Sequence, residues 1–170
     1  MYSSLHVASP HMAKAIRTVL EPFHCQKKSR DVDQMLYKMY TPILWRSLSA
    51  ANPFVRIHGS SILATTFPLR DPRAGKLHLK DIYNKSVMAL MNLMNDDDPK
   101  VRVAGCDATI RILGAFWDVL SSKDIRSLLN EIVMRHTTDV ASSAVRAYAV
   151  NGITLLMDAK SAHGVLRSIL

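Results

Sequence analysis

The sequence predicts an all-α fold built as an α-solenoid, a stack of helix pairs in which each pair packs against the next. One short cassette occurs three times and carries this prediction: a capping residue, a proline, a valine and an arginine. A capping side chain accepts hydrogen bonds from the first free N–H groups of a helix, and proline fits just inside, where no N–H is needed. The cassettes are Asn52, Pro53, Val55 and Arg56, then Asp98, Pro99, Val101 and Arg102, and then Ser142, Val145 and Arg146, the last without proline.

The spacing of the cassettes identifies the type of repeat. The valines lie 46 residues apart, from 55 to 101, and then 44 residues apart, from 101 to 145. A period of about 44 residues that carries two helices is typical of HEAT and armadillo units. Four positions after each valine stands a small residue, Gly59, Gly105 or Ala149, where a neighbouring helix can approach closely. We therefore expect about three full repeats with partial helices on either side.

Composition agrees with helix-on-helix packing. Hydrophobic residues make up 48% of the 170 residues, aromatic residues only 6%, and there are nine methionines. The two cysteines, Cys25 and Cys106, form no CxxC motif, so we expect a reducing compartment and a core position for Cys106. No apolar run approaches the roughly 20 residues that cross a bilayer, and the first residues lack a signal-peptide pattern. We expect an intracellular protein with no membrane partner.

Charge is distributed unevenly along the chain. Residues 1–95 hold 13 Lys or Arg against 5 Asp or Glu, whereas residues 96–170 hold 9 of each. The whole net charge of +8 therefore lies in the first part. Such asymmetry favours an acidic or nucleic-acid partner, because neutralised phosphates release their counterions.

Residues 1–30 are predicted to be a lead-in followed by one helix of an incomplete repeat, over residues 10–25. The first full repeat is residues 31–72: a helix over residues 31–50 that Pro42 kinks by removing a backbone hydrogen bond, and a helix over residues 52–67 that Pro68 ends. The apolar positions of the residue 10–25 helix are Met12, Ala15, Ile16, Val19, Leu20 and Phe23. The inward positions of the residue 31–50 helix are Met35, Leu36, Met39, Ile43, Leu44 and Leu48.

Residues 73–120 are predicted to be a basic loop followed by the second repeat, whose helices cover residues 81–95 and 98–116. The third repeat, residues 121–158, has helices over residues 121–135, capped by Ser122, and 143–158; residues 159–170 begin a further repeat. The predicted core positions of the first helices are Ile82, Val87, Leu90, Met91 and Met94 in the second repeat, and Ile125, Leu128, Leu129, Ile132 and Val133 in the third. The acids of residues 96–98 are expected to cap helices and to link neighbouring turns.

The most basic surface segment runs from Pro68 to Leu79, with Lys80 next to it, and predicts contacts with phosphates. Its two prolines and glycine indicate an ordered or partly ordered loop. The candidate DNA-phosphate contacts are Arg70, Arg73, Lys76 and Lys80. A plain solvated loop is the alternative.

Catalytic signatures are absent from the sequence. The seven histidines contain no pair at the i, i+4 spacing of a helical metal site, and there is no glycine-rich phosphate loop and no nucleophile elbow. We expect no enzyme activity, no cofactor, no metal and no small-molecule substrate. One remote alternative is a HEAT-like alkylpurine DNA glycosylase, for which Trp45, Trp117 and Asp118 are the candidate residues.

Two motifs connect the chain to a known family. YTPILWRSLSAANPFVR, over residues 40–56, and FPLRDP, over residues 67–72, resemble the CAP-G-type HEAT subunit of condensin II. Trp45 directly before Arg46 and the RDP exit are not general HEAT features. The similarity is good over residues 31–72 and weaker, but in register, to residue 158.

The resemblance implies a non-catalytic scaffold in the nucleus, on chromosomes. Such a subunit binds the kleisin of condensin II, reaches the SMC ATPases through it, and assists DNA engagement in mitotic chromosome condensation. DNA would be held through non-specific phosphate contacts. The alternative is a HEAT adaptor of the transport-receptor or phosphatase-scaffold kind, whose basic part would bind an acidic protein.

Overall fold

A computed structural model describes residues 10–19, 21–25, 29–158 and 162–169, and within these ranges the chain is helical and holds no strand. The predicted all-α fold is confirmed. Its helices are α1 (Pro10–Thr18), α2 (Glu21–Cys25), α3 (Arg30–Leu48), α4 (Pro53–Thr66), α5 (Lys76–Met94), α6 (Pro99–Phe116), α7 (Ser122–Asn130), a π-helix (Glu131–His136), α8 (Ser143–Met157) and α9 (His163–Ile169).

The chain forms two compact units, Met1–Ala89 and Leu90–Leu170. In the first unit α3 packs on α4, and in the second α6 packs on α8. The first part of α5 belongs to the first unit and its last turn to the second. Each unit is described by itself below.

The three cassettes begin α4, α6 and α8 with the predicted caps. The side chains of Asn52 and Asp98 accept the backbone N–H two residues on, at 2.9 and 2.8 Å. Ser142 accepts the N–H of Val145 at 3.3 Å. Pro53 and Pro99 are the first residues of their helices. The local chemistry of the cap thus fixes where each helix begins.

The valines of the cassettes hold equivalent places, as predicted. Val55, Val101 and Val145 are each the third residue of their helix, and each is buried. The core face of each helix therefore starts at the same register.

The arginine after each valine ties its helix to the turn that precedes it. Arg56 donates from Nη1 to the carbonyl oxygens of Ala50 and Ala51, at 2.7 and 2.8 Å. Arg102 makes the equivalent bonds to the carbonyls of Asp96 and Asp97, at 2.9 and 3.1 Å.

In α8, Arg146 donates to the carbonyl of Asp139 at 2.6 Å. In each case the guanidinium bonds carbonyls of the turn, which lie beyond the end of the preceding helix.

Arg102 also reaches the next turn along the chain. Its Nε and Nη2 donate to the Asp139 carboxylate at 2.9 and 3.3 Å, and both side chains are nearly buried. The same carboxylate accepts the backbone N–H groups of Ala141 and Ser142. One bidentate pair thus joins residues that lie 37 positions apart, and its acid is Asp139, not one of the acids of residues 96–98, for which the sequence predicts such a link.

Two glycines permit close helix crossings, as predicted. A Cβ on Gly59 would lie 2.7 Å from Ser47 Oγ, at the end of α3. A Cβ on Gly105 would lie 2.8 Å from backbone atoms of Leu93 and Met94, at the end of α5. At both positions a hydrogen atom in place of a side chain lets the last turn of the preceding helix lie against the second helix.

The buried face of α3 differs from the predicted one. Leu36 and Leu44 are buried as expected, but Met35 is 41% exposed, and Tyr40, 1% exposed, fills the core instead. Asp33 and Ser47 are also buried on this face. Its positions recur at steps of three and four, but two of them carry polar side chains, so a pattern of apolar residues alone does not identify the face.

The N-terminal helix predicted over residues 10–25 is divided in two. Pro22 explains the break, because its ring clashes with the carbonyl four residues earlier, at Thr18, where α1 ends. Of the apolar positions named for this helix, Met12, Val19 and Phe23 are exposed. The side chains of Ile16 and Leu20 lie outside the described residues.

Two corrections apply to the third predicted repeat. The cap of α7 is Ser121, which accepts the N–H of Asp124, and Ser122 is the first helical residue. The helix also changes to a π-helix at Glu131. There the buried His136 places its ring nitrogens 2.7 and 2.9 Å from the carbonyl oxygens of Met94 and Glu131. The five predicted core residues of this segment are all buried.

Cys106 lies in the core of α6 with no exposed surface. Burial raises the pKa of its thiol to about 12, more than the nearby Arg102 charge lowers it. The group stays a neutral, apolar side chain at physiological pH, as expected for a structural cysteine.

Gly105→Ala is expected to destabilise the second unit by about 1–3 kcal/mol, because its methyl group would press on backbone atoms that have little room to shift. Gly114→Ala, on the same helix, is the matched control. A Cβ there meets nothing within 4 Å, so the substitution should stabilise the chain by about 0.4–1 kcal/mol. Urea unfolding measures both, and equal effects of the two changes would contradict the close crossing.

Asp139→Asn tests the link between turns. Burial raises the pKa of Asp139, but hydrogen bonds from Arg102, Ser142 and Ala141 and the arginine charge lower it more, so the net shift is downward. A lowered pKa contributes stability above the unfolded value of about 3.9 and loses it as the pH falls further.

The variant should be less stable than the wild type by about 1–3 kcal/mol at pH 7, and this difference should shrink below about pH 4. Urea unfolding at several pH values measures it. Asp118→Asn, at an exposed position, is the control. A difference that stays constant down to pH 3 would contradict the role of this carboxylate.

Candidate nucleic-acid interface

The first unit carries the positive charge of the chain on its surface. Residues 1–89 hold 13 Lys or Arg against 5 Asp or Glu. The exposed cations among its described side chains are Lys14, Arg30, Lys38, Arg46, Arg70, Arg73, Lys76, Lys80 and Lys85.

The segment between α4 and α5 is folded by its own contacts. Leu69 is buried and anchors the chain after α4 ends. Asp71 then forms a turn: its side chain accepts the N–H of Arg73 at 2.9 Å, and its carbonyl accepts the N–H of Ala74 at 3.1 Å. The turn leaves Arg73 exposed between α4 and α5.

Arg70 has a structural contact. Its guanidinium donates to the Asp33 carboxylate on α3, with distances of 3.1 Å from Nε and 3.0 Å from Nη2. The aspartate side chain is only 10% exposed and the arginine side chain 54%. Part of the Arg70 charge therefore compensates a nearly buried acid, which makes Arg70 the weakest of the four predicted phosphate contacts.

Lys76 and Lys80 lie on a helix, not in the predicted loop. The structure begins α5 at Lys76, five residues earlier than expected. Pro72 and Gly75 both precede that first residue, so neither interrupts the helix. Residues four apart share one helical face, and the two lysines therefore point the same way from the first turns of α5.

Two side-chain contacts hold the start of α5 against α3. The Tyr37 hydroxyl lies 2.9 Å from His78 Nε2, with the rings edge to face. About two turns further along both helices, Lys85 Nζ lies 4.5 Å from the ring centre of Trp45. The lysines of α5 are thus presented by a helix that aromatic contacts fix in place.

Arg73, Lys76 and Lys80 are available for a ligand. Within the described part of the chain, the charged side chains of these three residues make no ion pair and no hydrogen bond. Unpaired N–H groups at a helix start add their own positive potential, and anions are favoured there. Lysine and arginine side chains on such a surface can neutralise phosphates, but they have no groove-reading element that would select a base sequence.

Two further cations were missed from the sequence. Lys38 and Arg46 are exposed on α3, each one residue after an aromatic side chain that contacts α5. Their position in the polar half of an amphipathic helix was the only signal, and it does not distinguish them from ordinary solvated residues.

The residues considered for base excision fall in different units. Trp45 contacts Lys85 in the first unit. In the second unit Trp117 caps the end of α6 and Asp118 is exposed.

Among the described residues, no group of three or more His, Cys, Asp or Glu is placed to hold a metal ion. Within the same ranges, every helix is too short or too polar to cross a membrane.

Comparison with known proteins connects the chain to one group. Residues 1–71 match the family described as "Condensin II non structural maintenance of chromosomes subunit". Condensin-2 complex subunit G2 of Xenopus laevis is 33% identical over 155 residues, which are 91% of this chain and 13% of that protein.

The Homo sapiens and Mus musculus proteins of the same name are 32% and 31% identical over the whole of this chain, which covers 15% of each. The chain thus spans between 13% and 15% of the length of these relatives. No solved structure matches it significantly. The predicted resemblance is confirmed.

Proposed function

The chain is related to condensin II non-SMC subunits of the G2 type, and on this premise we propose that it is a non-catalytic helical scaffold segment of such a subunit. Its place of action is the nucleus, on mitotic chromosomes. The observation that carries the proposal is a similarity extending over 91% or more of the chain to relatives of this one name. The all-α architecture supports it, because helix pairs of this kind present long surfaces for partners.

In this proposal the first unit touches DNA through its phosphates. Arg73, Lys76 and Lys80 are the principal contacts, and Arg70 contributes less because it also compensates Asp33. Their uncommitted charges, the start of α5 and the net charge of the unit support this assignment. Binding of this kind is insensitive to sequence and weakens steeply with salt.

The protein partners follow from the family. The segment contributes to binding the kleisin subunit of condensin II and, through it, works with the SMC ATPases. Apolar side chains of the helix pairs are the expected anchors for an extended kleisin segment. An adaptor that uses the same cations to bind an acidic protein is the competing function.

Reversal of three charges tests the DNA contact. Arg73→Glu, Lys76→Glu and Lys80→Glu together should weaken binding to a duplex at 50 mM salt by about tenfold or more. The slope of log affinity against log salt should become smaller by about 2–3. Acidic side chains suit the first turn of a helix, so α5 should remain folded. Fluorescence anisotropy with the whole chain measures the effect.

The matched control reverses three exposed cations of the second unit, Lys100, Arg111 and Arg167, which should change DNA affinity less than about threefold. Equal losses in the two variants would show a diffuse charge effect and contradict the assigned contacts. A wild-type chain that ignores DNA but retains an acidic peptide, with that retention lost on reversal of Arg73, Lys76 and Lys80, would favour the adaptor.

Immunoprecipitation from nuclear extract tests the protein partners. A tagged copy of the chain should recover a kleisin and the coiled-coil ATPases. The extract is treated with nuclease in a parallel sample, so that proteins held only through DNA are lost. Absence of the kleisin from both samples would overturn this part of the proposal without touching the DNA result.

A further inference from the structure

The second unit contains an open groove of about 450 Å³ between α7 and α9, named here the α7–α9 groove. Lys123 and Arg126 line it with positive charge, Ser127 and Asn130 line it with uncharged polar groups, and Met134 and Ile169 supply apolar surface.

The groove follows one face of a continuous helical segment. Positions 123, 127, 130 and 134 recur at steps of four, three and four, so they share the face opposite the buried Ile125, Leu128 and Leu129. Met134 is 52% exposed at one end of that face, on the π-helix. The short helix α9 packs on α7 and forms the other wall.

The polar groups of this groove are uncommitted. Among the described residues, no ion pair or side-chain hydrogen bond engages Lys123, Arg126, Ser127 or Asn130. A second groove of this unit, of about 520 Å³, lies beside the turns at residues 95–97 and 138–141, and its arginines already have partners. Its Arg102 is bound to Asp139, and its Arg135 is bound to Glu131 and Asn95. Of these two grooves, only the α7–α9 groove combines a concave shape with cationic side chains that have no partner among the described residues.

The charges of the α7–α9 groove select an anionic ligand. It is lined by two cations and by no acid, so a carboxylate entering it meets no repulsion from the lining. An acidic peptide fits better than a nucleic acid. The exposed apolar surface of Met134 suits a peptide side chain. Residues 90–170 carry 9 cations and 9 acids, so the second unit lacks the excess positive charge that is typical of nucleic-acid-binding surfaces.

We propose that the α7–α9 groove binds a short acidic peptide segment of a partner protein. Two carboxylates pair with Lys123 and Arg126, and one apolar side chain of the peptide packs on Met134 and Ile169. Ser127 and Asn130 form hydrogen bonds with the peptide backbone, since a hydroxyl and an amide side chain can each donate and accept. This assignment uses a different surface from the DNA contact and does not rest on the proposed function.

The test uses the whole ¹⁵N-labelled chain and a peptide in which a leucine is flanked on each side by two glutamates. At low salt, saturable shifts are expected in the amide signals of α7, the π-helix and α9. Lys123→Glu with Arg126→Glu should weaken the affinity read from these signals at least about tenfold, because charge-assisted bonds are among the stronger contacts. Ser127→Trp should weaken it similarly by filling the groove without changing its charge.

Lys100→Glu with Arg111→Glu gives the same change of net charge outside the groove and should alter affinity less than about twofold. Shifts confined to the basic first unit, or full binding by the Ser127→Trp variant, would overturn the proposal. A short DNA duplex in place of the peptide should leave the signals of α7 and α9 unmoved. Movement of those signals by the duplex but not by the peptide would likewise overturn it.

Discussion

The arginine at the fourth position of each second helix is the interaction on which the helix pairs depend. A helix pair must reverse direction in a few residues, and the carbonyls of that turn lie outside the hydrogen-bond pattern of either helix, so they need other donors. Arg56, Arg102 and Arg146 each supply N–H groups to carbonyls of that turn. Because a guanidinium has five donors in a fixed plane, Arg102 bonds two carbonyls and also binds a carboxylate through two nitrogens; lysine, with one nitrogen, lacks this fork.

Arg102 shows how this interaction extends beyond one pair. Its Nε and Nη2 donate to Asp139, and Oδ1 of that carboxylate also accepts the backbone N–H groups of Ala141 and Ser142 in the same turn. The glycine at position 105 brings the end of α5 against α6 and so places that turn within reach of the guanidinium. Cap, valine, arginine and glycine therefore act together: the cap fixes the start of the helix, the valine is buried, the glycine permits the close approach, and the arginine bonds the turn.

The same architecture leaves the helix surfaces free for partners. In the first unit, core contacts use one face of α3 and α4, while the lysines of α5 and α3 remain in solvent. The surface of this unit therefore presents positive charge on a helix whose position is fixed by its contacts with α3. The second unit has no excess charge, and the α7–α9 groove brings two cations and two uncharged polar side chains together on its surface.

By itself, the sequence determined the helix-pair architecture, the starts of α4, α6 and α8, the equivalent valines and the close crossings at Gly59 and Gly105. These features follow from caps, prolines and apolar periodicity, all of which act within one helix or its adjoining turn. Only the tertiary structure decided that Tyr40 and not Met35 is buried, that Arg70 compensates Asp33, and that Lys76 begins a helix. Each of these depends on what another segment places nearby, and an amphipathic pattern that offers several apolar positions to one face does not specify which of them a neighbour will cover.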